Sequence, residues 1–288
     1  MAQRVKLIVD STTDLPLEWL AHWDIPVLAV YVNFGEESFL DDGIALPKAE
    51  FYRRLAASRS LPTTSAPAPG VAQQLMRRQL DNAEHVVFFT VASRFSSLYN
   101  TVRLAAQDVD PKRITVVDSG QASMGLGWMV VAAAEAAERG AGPDEVLAAA
   151  RSACERLKLW AAIDTLEYLR RGGRVNTLVA SLGTLLQIKP IINVKDGEVG
   201  VVQRVRTMNK AIQTLIDLAH DQAPLERLAV LHTNFPQGAA DLLARLVDIA
   251  PVNTITVDVT VAIGTHVGPG CLGIASVRKA KENDAIST

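Results

Sequence analysis

Residues 5–16, VKLIVDSTTDLP, join an apolar run rich in β-branched residues to an Asp-Ser turn crowded with hydroxyl groups. Residues 114–125, ITVVDSGQASMG, repeat the same order later in the chain. A short continuous apolar run that ends in a turn is typical of a buried parallel strand. Because ligands of open parallel sheets bind beyond the carboxyl ends of the strands, the two turns predict one shared crevice.

Apolar runs alternate with amphipathic ones around these two stretches. This alternation predicts parallel strands joined by crossover helices in the first half of the chain. The predicted strands are 5–9, 26–32, 86–90 and 114–117, and the predicted helices are 48–57, 71–80, 97–107, 126–139 and 144–157.

The second half of the chain has a different pattern. Asp196-Gly197 lies between two apolar runs, which predicts an antiparallel hairpin. Further strands are expected at 159–163, 227–231, 254–259 and 271–277, and helices at 177–187, 209–220 and 238–249. We therefore predict an α/β protein with two domains, 1–155 with a parallel sheet and 156–288 with a mixed or antiparallel sheet.

Composition excludes several classes of function. The 288 residues are 49% hydrophobic and carry a formal net charge of −2, so a folded core is expected and a basic surface for nucleic acid is not. Two cysteines and five scattered histidines show no metal-binding spacing. No Walker A sequence and no GxGxxG motif occurs. We expect no metal, no cofactor and no nucleic-acid partner.

The start of the chain and its apolar runs indicate neither export nor a membrane. The start MAQRVKLIVD leads directly into a strand and lacks the apolar region of a signal peptide. The longest soft apolar run, 122–134, is shorter than the roughly 18 residues that a membrane span needs. We predict a cytoplasmic protein without stable membrane insertion, in which this run is a buried helix.

Two polar loops could form a site beside the Asp-Ser turns. Asp10 and Asp118 are better explained as caps of turns or helices than as ligand contacts. Prolines stiffen LPTTSAPAPG, residues 61–70, and hold Thr63, Thr64 and Ser65 in extended geometry. TVASRFSSLYNT, residues 90–101, follows a strand and opens a helix, with Ser96 or Ser97 as its N-cap. A free helix start favours a carboxylate or a phosphate, although a plain cap explains the same sequence.

One histidine and a group of arginines complete the candidate residues. AIGTHVGPG, residues 262–270, constrains the backbone around His266 at the end of a predicted strand. LRRGGRVN, residues 169–176, supplies arginines on a Gly-Gly turn, and others follow in QRVRT. These arginines form either a solvated face or a surface that binds a partner or an anion. They are Arg170, Arg171, Arg174, Arg204 and Arg206.

Seven of these motifs, in this order and over nearly the whole chain, resemble the DegV family: DSTTDLP, TTSAPAPG, SRFSSLYNT, VVDSGQASMGLG, LRRGGRVN, KPIINVKDGEV and GTHVGPG. The resemblance implies two α/β domains with a long-chain fatty acid bound in a tunnel between them. It also implies a carrier, not itself an enzyme, that presents the acyl carboxylate to a separate fatty-acid kinase. This kinase uses ATP to make the acyl phosphate that enters phospholipid metabolism in bacteria.

Mapped onto this sequence, the resemblance places the carboxylate near five residues: Thr64, Ser65, Ser93, Ser96 and His266. It leaves Arg171, Arg174, Arg204 and Arg206 as the surface that would dock the kinase. The chain departs from the family pattern where Arg94 and Ser97 replace glycines, Leu98 replaces threonine and Ala66 replaces glutamine. Contacts to the head group are therefore expected to differ from those of other members.

Two other functions use the same residues. A serine acyl hydrolase would take Ser93 or Ser96 as nucleophile and His266 as base, oriented by Asp10 or Asp118, but the chain has no G-x-S-x-G elbow. A binder of sugar-like or keto compounds would use His266 as a covalent ligand. It would need a polar pocket, whereas the segments around these turns are rich in Leu, Val and Ala.

Overall fold

The computed structural model describes residues 3–58, 60–173 and 188–280. Its strands are β1 (Gln3–Asp10), β2 (Val27–Leu28), β3 (Tyr31–Phe34), β4 (Glu37–Leu40), β5 (Thr63–Ser65), β6 (Ala83–Thr90), β7 (Ile114–Asp118), β8 (Leu157–Ala162), β9 (Lys189–Lys195), β10 (Glu198–Val205), β11 (Leu225–His232), β12 (Ile255–Asp258) and β13 (Leu272–Arg278). Its helices are α1 (Leu17–His22), α2 (Lys48–Ala57), α3 (Pro69–Leu80), α4 (Leu98–Val109), α5 (Met124–Glu138), α6 (Pro143–Arg156), α7 (Leu166–Gly172), α8 (Met208–Gln222), α9 (Pro236–Ala244) and α10 (Val261–Val267).

The first half builds the predicted parallel sheet, in the order β2-β1-β6-β7. β1 and β6 are rich in valine, isoleucine and phenylalanine because helices cover both faces of such a sheet. β1 ends at Asp10 and β7 ends at Asp118, and parallel pairing brings both ends to one edge. This topology places both Asp-Ser turns at the same edge of the sheet, as predicted.

A small antiparallel sheet, in the order β4-β3-β5, was not predicted. The single strand expected over 26–32 is wrong: β2 pairs with β1 over two residues, and β3 then pairs with β4 and β5. The expected loop at 61–70 contains β5, which pairs Thr64 with Val32. Prolines flank β5 and do not prevent pairing, because the strand is short and lies at the edge.

The second half forms a six-stranded mixed sheet, in the order β10-β9-β8-β13-β11-β12, in which only the β11–β12 pair is parallel among the described strands. The predicted hairpin is confirmed, with Glu198 paired to Lys195. Asp196 and Gly197 have φ of 53° and 72°, as a tight two-residue hairpin turn requires. The helix expected at 177–187 lies outside the described residues.

Helix α5 lies against both large sheets and is buried, as predicted for residues 122–134. It contacts β1 and β6 on one side and β8 and β13 on the other. Trp128 Nε1 donates to the carbonyl oxygen of Ala275 at 3.0 Å, which fixes the helix to β13. One apolar cluster therefore extends from Val5 to Val277.

The boundary predicted near residue 155 stays a prediction, because this shared cluster joins the two halves. α6 ends at Arg156 and β8 begins at Leu157, so the sheets divide close to that point along the chain. Across the described ranges, no helix combines the length and the apolar character that crossing a membrane requires.

Candidate functional site

A cavity of about 690 Å³ lies where the hydroxyl-rich loops of the first half meet α10 and the β9–β10 hairpin. Most of its wall is apolar, from residues such as Ile192, Val194, Val199 and Ile263. Its polar lining consists of Thr12, Thr64, Ser65, Ser93, Arg94, Ser96, Ser97 and His266. The five residues predicted for ligand contact thus all border one cavity.

Thr64 and His266 form the polar pair of this wall. Thr64 Oγ1 lies 3.0 Å from His266 Nε2, although the residues are 202 positions apart. Thr64 is held by β5, and His266 by α10, which packs against β5. Both side chains are half-buried, so their polar atoms can meet a ligand without being fully hydrated. Ser65, the next residue of β5, accepts a hydrogen bond from Asn33 at 3.2 Å.

Residues 91–97, between β6 and α4, are called the serine loop here. The aspartates of the two Asp-Ser turns bind the backbone of this loop. Asp10 accepts a hydrogen bond from the Val91 amide at 2.6 Å, and Asp118 accepts one from the Ser93 amide at 3.0 Å. Each also caps its own turn, through the amides of Thr12 and Gly120 respectively. Both aspartates therefore act as the predicted caps. Burial raises the pKa of Asp10, while its three hydrogen bonds favour the charged form.

The serine loop ends at the start of α4. Ser97 occupies the N-cap position but makes no capping hydrogen bond through its side chain. Ser96 Oγ accepts instead from the amide of Leu98, at 3.1 Å. A hydroxyl that accepts in this way keeps its own proton for an acceptor in the cavity. Ser93 and Ser96 are half-buried and lie on the cavity wall.

His266 lies in α10, so the expectation that it ends a strand is wrong. Gly264 sits inside this helix because a Cβ there would lie 2.9 Å from the Tyr52 hydroxyl. Gly268, with φ of 75°, ends it, and a Cβ at that position would overlap the ring of Tyr168. Gly264 and Gly268 are thus needed for close packing around a short helix, and they do not form the turn that the sequence suggested.

Two buried aspartates that sequence reasoning missed fix the start of α10. Asp14 accepts hydrogen bonds from the Thr260 amide at 2.7 Å and from Ser123 Oγ at 2.5 Å. Asp41 accepts a weaker one from the Ala262 amide, at 3.4 Å. Burial raises the pKa of Asp14 to about 7 and that of Asp41 to about 6. The second aspartate of DSTTD was the available signal for Asp14, because it ends a strand-turn motif with a second acid.

Arg94 contacts the β9–β10 hairpin. Its Nη1 lies 2.6 Å from Glu198 Oε1, and both side chains are largely exposed. The sequence contained no signal for this partner, since the two residues are 104 positions apart.

A second, smaller cavity of about 110 Å³ lies between α10 and the mixed sheet. Five residues border both cavities, which makes them neighbours: Ala122, Ile192, Val194, Ile263 and Val267. The rest of its wall includes Leu159, Ala161, Ile163 and Leu231. Together the two cavities offer a mostly aliphatic space that begins at a group of hydroxyls.

The arginines expected to dock a partner are spread over α7 and the end of β10. Arg171 is exposed and pairs with Glu167, one turn earlier, at 3.0 Å. Arg204 and Arg206 are exposed at the edge strand β10 and just beyond it. Arg174 lies outside the described residues, and the docking surface stays a prediction. Within those residues, no three His, Cys, Asp or Glu side chains gather as a metal site would require.

Comparisons with known proteins give the family. The sequence model described as "Uncharacterised protein, DegV family" matches residues 4–279. The chain belongs to the DegV family. A DegV domain-containing protein of Streptomyces coelicolor is 32% identical over 280 residues, which cover 95% of this chain and 98% of that protein.

Solved DegV structures share the fold. A DegV lipid-binding protein from Thermotoga maritima is 30% identical, with a TM-score of 0.85 over 96% of this chain and 100% of that one. A DegV family protein from Thermus thermophilus, whose structure describes fatty-acid binding, is 29% identical. Its TM-score is 0.88, over 95% of this chain and 99% of that one. The predicted fold class, a parallel sheet followed by a mixed sheet, is confirmed by these relatives.

Proposed function

We propose that this DegV protein binds a long-chain fatty acid in the two adjoining cavities. The observation that carries the proposal is an aliphatic space bordered by a group of hydroxyls around the Thr64–His266 pair. A fatty acid has the matching chemistry, one polar end and a long apolar tail. Thr64, Ser65, Ser93, Ser96 and His266 would orient the carboxylate.

Burial of the tail would supply most of the affinity. Each buried methylene contributes roughly 0.8 kcal/mol, so a chain of about 16 methylenes gives on the order of 13 kcal/mol of gross transfer free energy. Ordering of the chain and loss of its free motion offset much of this. Neutral hydroxyls then need only hold the carboxylate in place, which suits a carrier.

The carboxylate would be presented to a separate fatty-acid kinase. One carboxylate oxygen would attack the γ-phosphorus of ATP, the bond to the bridging oxygen would break, and ADP would leave. Orientation by hydroxyls favours this step, because a bidentate arginine would hold the nucleophile in a strong ion pair. Arg94, the arginine on the described cavity wall, is paired with Glu198. The kinase would dock on Arg171, Arg174, Arg204 and Arg206.

Mass spectrometry tests the ligand directly. The purified protein would be measured under native and denaturing conditions, and any small molecule would be extracted and identified. A stoichiometric long-chain fatty acid is the expected result. An empty protein that also fails to take up added palmitate or oleate would refute the proposal. Labelling of Ser93 or Ser96 by a serine-directed phosphonate would favour the hydrolase. Binding of a triose would favour a protein that binds sugar-like or keto compounds.

A separate assay tests the kinase. Protein loaded with oleate would be mixed with a fatty-acid kinase and ATP, and ADP release would be followed. The double variant Arg204→Ala/Arg206→Ala is expected to lower ADP release while oleate binding stays at the wild-type value. Arg53→Ala, on the exposed face of α2, is the control. Equal ADP release by the double variant and the wild type would refute the proposal that the kinase docks on this surface.

A further inference from the structure

The tip of the β9–β10 hairpin contacts the serine loop through Arg94. Its guanidinium pairs with Glu198, the first residue of β10, at 2.6 Å. The aliphatic part of the same side chain lies over Gly197, because a Cβ built there would sit 3.2 Å from Arg94 Cδ. Arg94 also borders the larger cavity. A single side chain thus connects the cavity wall to the hairpin.

Backbone atoms make a second contact at the same place. The Gly197 amide donates to the carbonyl oxygen of Gly120 at 2.8 Å. A Cβ at Gly120 would lie 3.2 Å from the Cα of Asp196, so the two turns meet backbone to backbone. Asp118 accepts hydrogen bonds from the amides of both Gly120 and Ser93. The turn that receives the hairpin and the loop that borders the cavity are therefore held by one carboxylate.

The hairpin and the serine loop form facing parts of the cavity wall. Ile192 and Val194 of β9 and Val199 of β10 border the cavity from the hairpin side, while residues 93–97 border it from the other. Movement of the hairpin tip away from Gly120 would separate these two parts. Such a movement would open a side of the cavity without unfolding either sheet.

We propose that the Arg94–Glu198 pair is a clasp that holds the hairpin against the serine loop and sets the rate at which a ligand enters and leaves the cavity. The identity of that ligand as a fatty acid rests on the proposed function above.

The exposure of the pair suits a contact that opens repeatedly. The side chains of Arg94 and Glu198 are 64% and 68% exposed. Pairs of this kind are weak and are screened by salt. The clasp would therefore change opening rates by a modest factor, roughly two- to fivefold.

Hydrogen exchange in the ligand-free protein tests the clasp itself. Arg94→Gln and Glu198→Gln are each expected to speed exchange of the Gly197 amide roughly two- to fivefold, with no further gain in the double variant. The charge swap, Arg94→Glu with Glu198→Arg, should restore slow exchange. Arg53→Gln, which removes an exposed pair with Glu50 on α2, is the control and should leave this amide unchanged. Wild-type exchange in both single variants, or fast exchange in the charge swap, would overturn the proposal.

Release kinetics test its effect on the ligand. A prebound fluorescent fatty acid would be displaced by excess palmitate in a stopped-flow instrument. Both single variants should release it faster by the same factor, and added salt should bring the wild type to their rate. Faster release by Arg94→Gln alone would mean that Arg94 holds the head group, against the clasp. If the wild type binds no fatty acid, the proposed function fails, and the exchange measurement still decides whether the clasp forms.

Discussion

The Asp10 carboxylate accepts a hydrogen bond from the backbone amide of Val91 at 2.6 Å, across 81 positions of sequence. Asp118 makes the equivalent contact with the Ser93 amide, two residues further along the same loop. The two similar Asp-Ser turns follow the strands on either side of β6, and they support the serine loop that follows β6 itself. Their contribution to the site is indirect, because they position the backbone that carries Ser93 and Ser96.

Asp118→Ala is expected to weaken fatty-acid binding by a few fold, because the serine loop loses an acceptor for the Ser93 amide. Binding would be measured by titration with a fluorescent fatty acid. Asp110→Ala is a matched control, since Asp110 accepts from the amides of Lys112 and Arg113 in a turn that does not border the cavity. Equal losses of affinity in the two variants would show that general destabilisation of the protein, and not the position of the serine loop, causes the loss.

Thr64→Val is expected to weaken fatty-acid retention roughly two- to tenfold, the range for one neutral hydrogen bond. The change preserves the shape of the side chain and removes the Oγ1 that lies 3.0 Å from His266 Nε2. Thr63→Val is the control, because successive residues of β5 point to opposite faces and Thr63 does not border the cavity. Retention would be measured by mass spectrometry after dilution. Wild-type retention by both Thr64→Val and His266→Ala would remove the site assignment.

Asp14 gives the protein a pH-dependent stability. Burial raises the pKa of this carboxyl to about 7, whereas an unfolded aspartate has a pKa of about 3.9. Between these values the folded state binds the extra proton, so its contribution to stability is present at low pH and is lost as pH rises through 7. Relative to Asp14→Asn, the wild type should lose on the order of a few kcal/mol of unfolding free energy between pH 5 and pH 8.

Urea denaturation at several pH values would measure this difference. Asp81→Asn is the control, because Asp81 is exposed after α3 and its variant should follow the wild-type curve. Parallel curves for the wild type and Asp14→Asn would contradict the assigned protonation of Asp14.

Gly127→Ala is expected to lower the unfolding free energy by about 1–3 kcal/mol. A Cβ at this position would lie 2.8 Å from Met124 Sδ and 2.9 Å from the Thr13 carbonyl oxygen, so the DSTTD turn would have to move. Gly70→Ala is the matched helical control: nothing lies within 4 Å of a Cβ there, and alanine favours α3 by up to about 1 kcal/mol. The midpoints of urea unfolding of the two variants would be compared with that of the wild type. An unchanged midpoint for Gly127→Ala would contradict the close contact of Gly127 with Met124 and Thr13.

Local sequence signals were sufficient for the main sheets. The apolar run before Asp10 and the Asp196-Gly197 turn each have one physical interpretation, a buried parallel strand and a tight hairpin. β5 gave no such signal, because three residues between prolines become a strand only by pairing with Tyr31–Asn33. Its existence depends on a partner distant in sequence.

The candidate site was likewise only partly predictable from the sequence. Hydroxyls on stiff loops and a histidine among glycines were visible in the sequence, and the resemblance to a family grouped them. The helical setting of His266 was not visible, because the reason for Gly264 is the hydroxyl of Tyr52 in another element. Asp14 and Glu198 were missed for a similar reason, since their roles depend on Thr260 and Arg94 across the fold.

Helix α5 also determines how the chain can be divided in the laboratory. Twelve of its residues are buried, and they lie against strands from both ends of the sequence. A fragment that stopped at residue 155 would leave the surface that meets β8 and β13 in contact with water. Exposed apolar surfaces of this kind lead to association. Truncation at the apparent boundary should therefore yield aggregates, and studies of either half require the intact polypeptide.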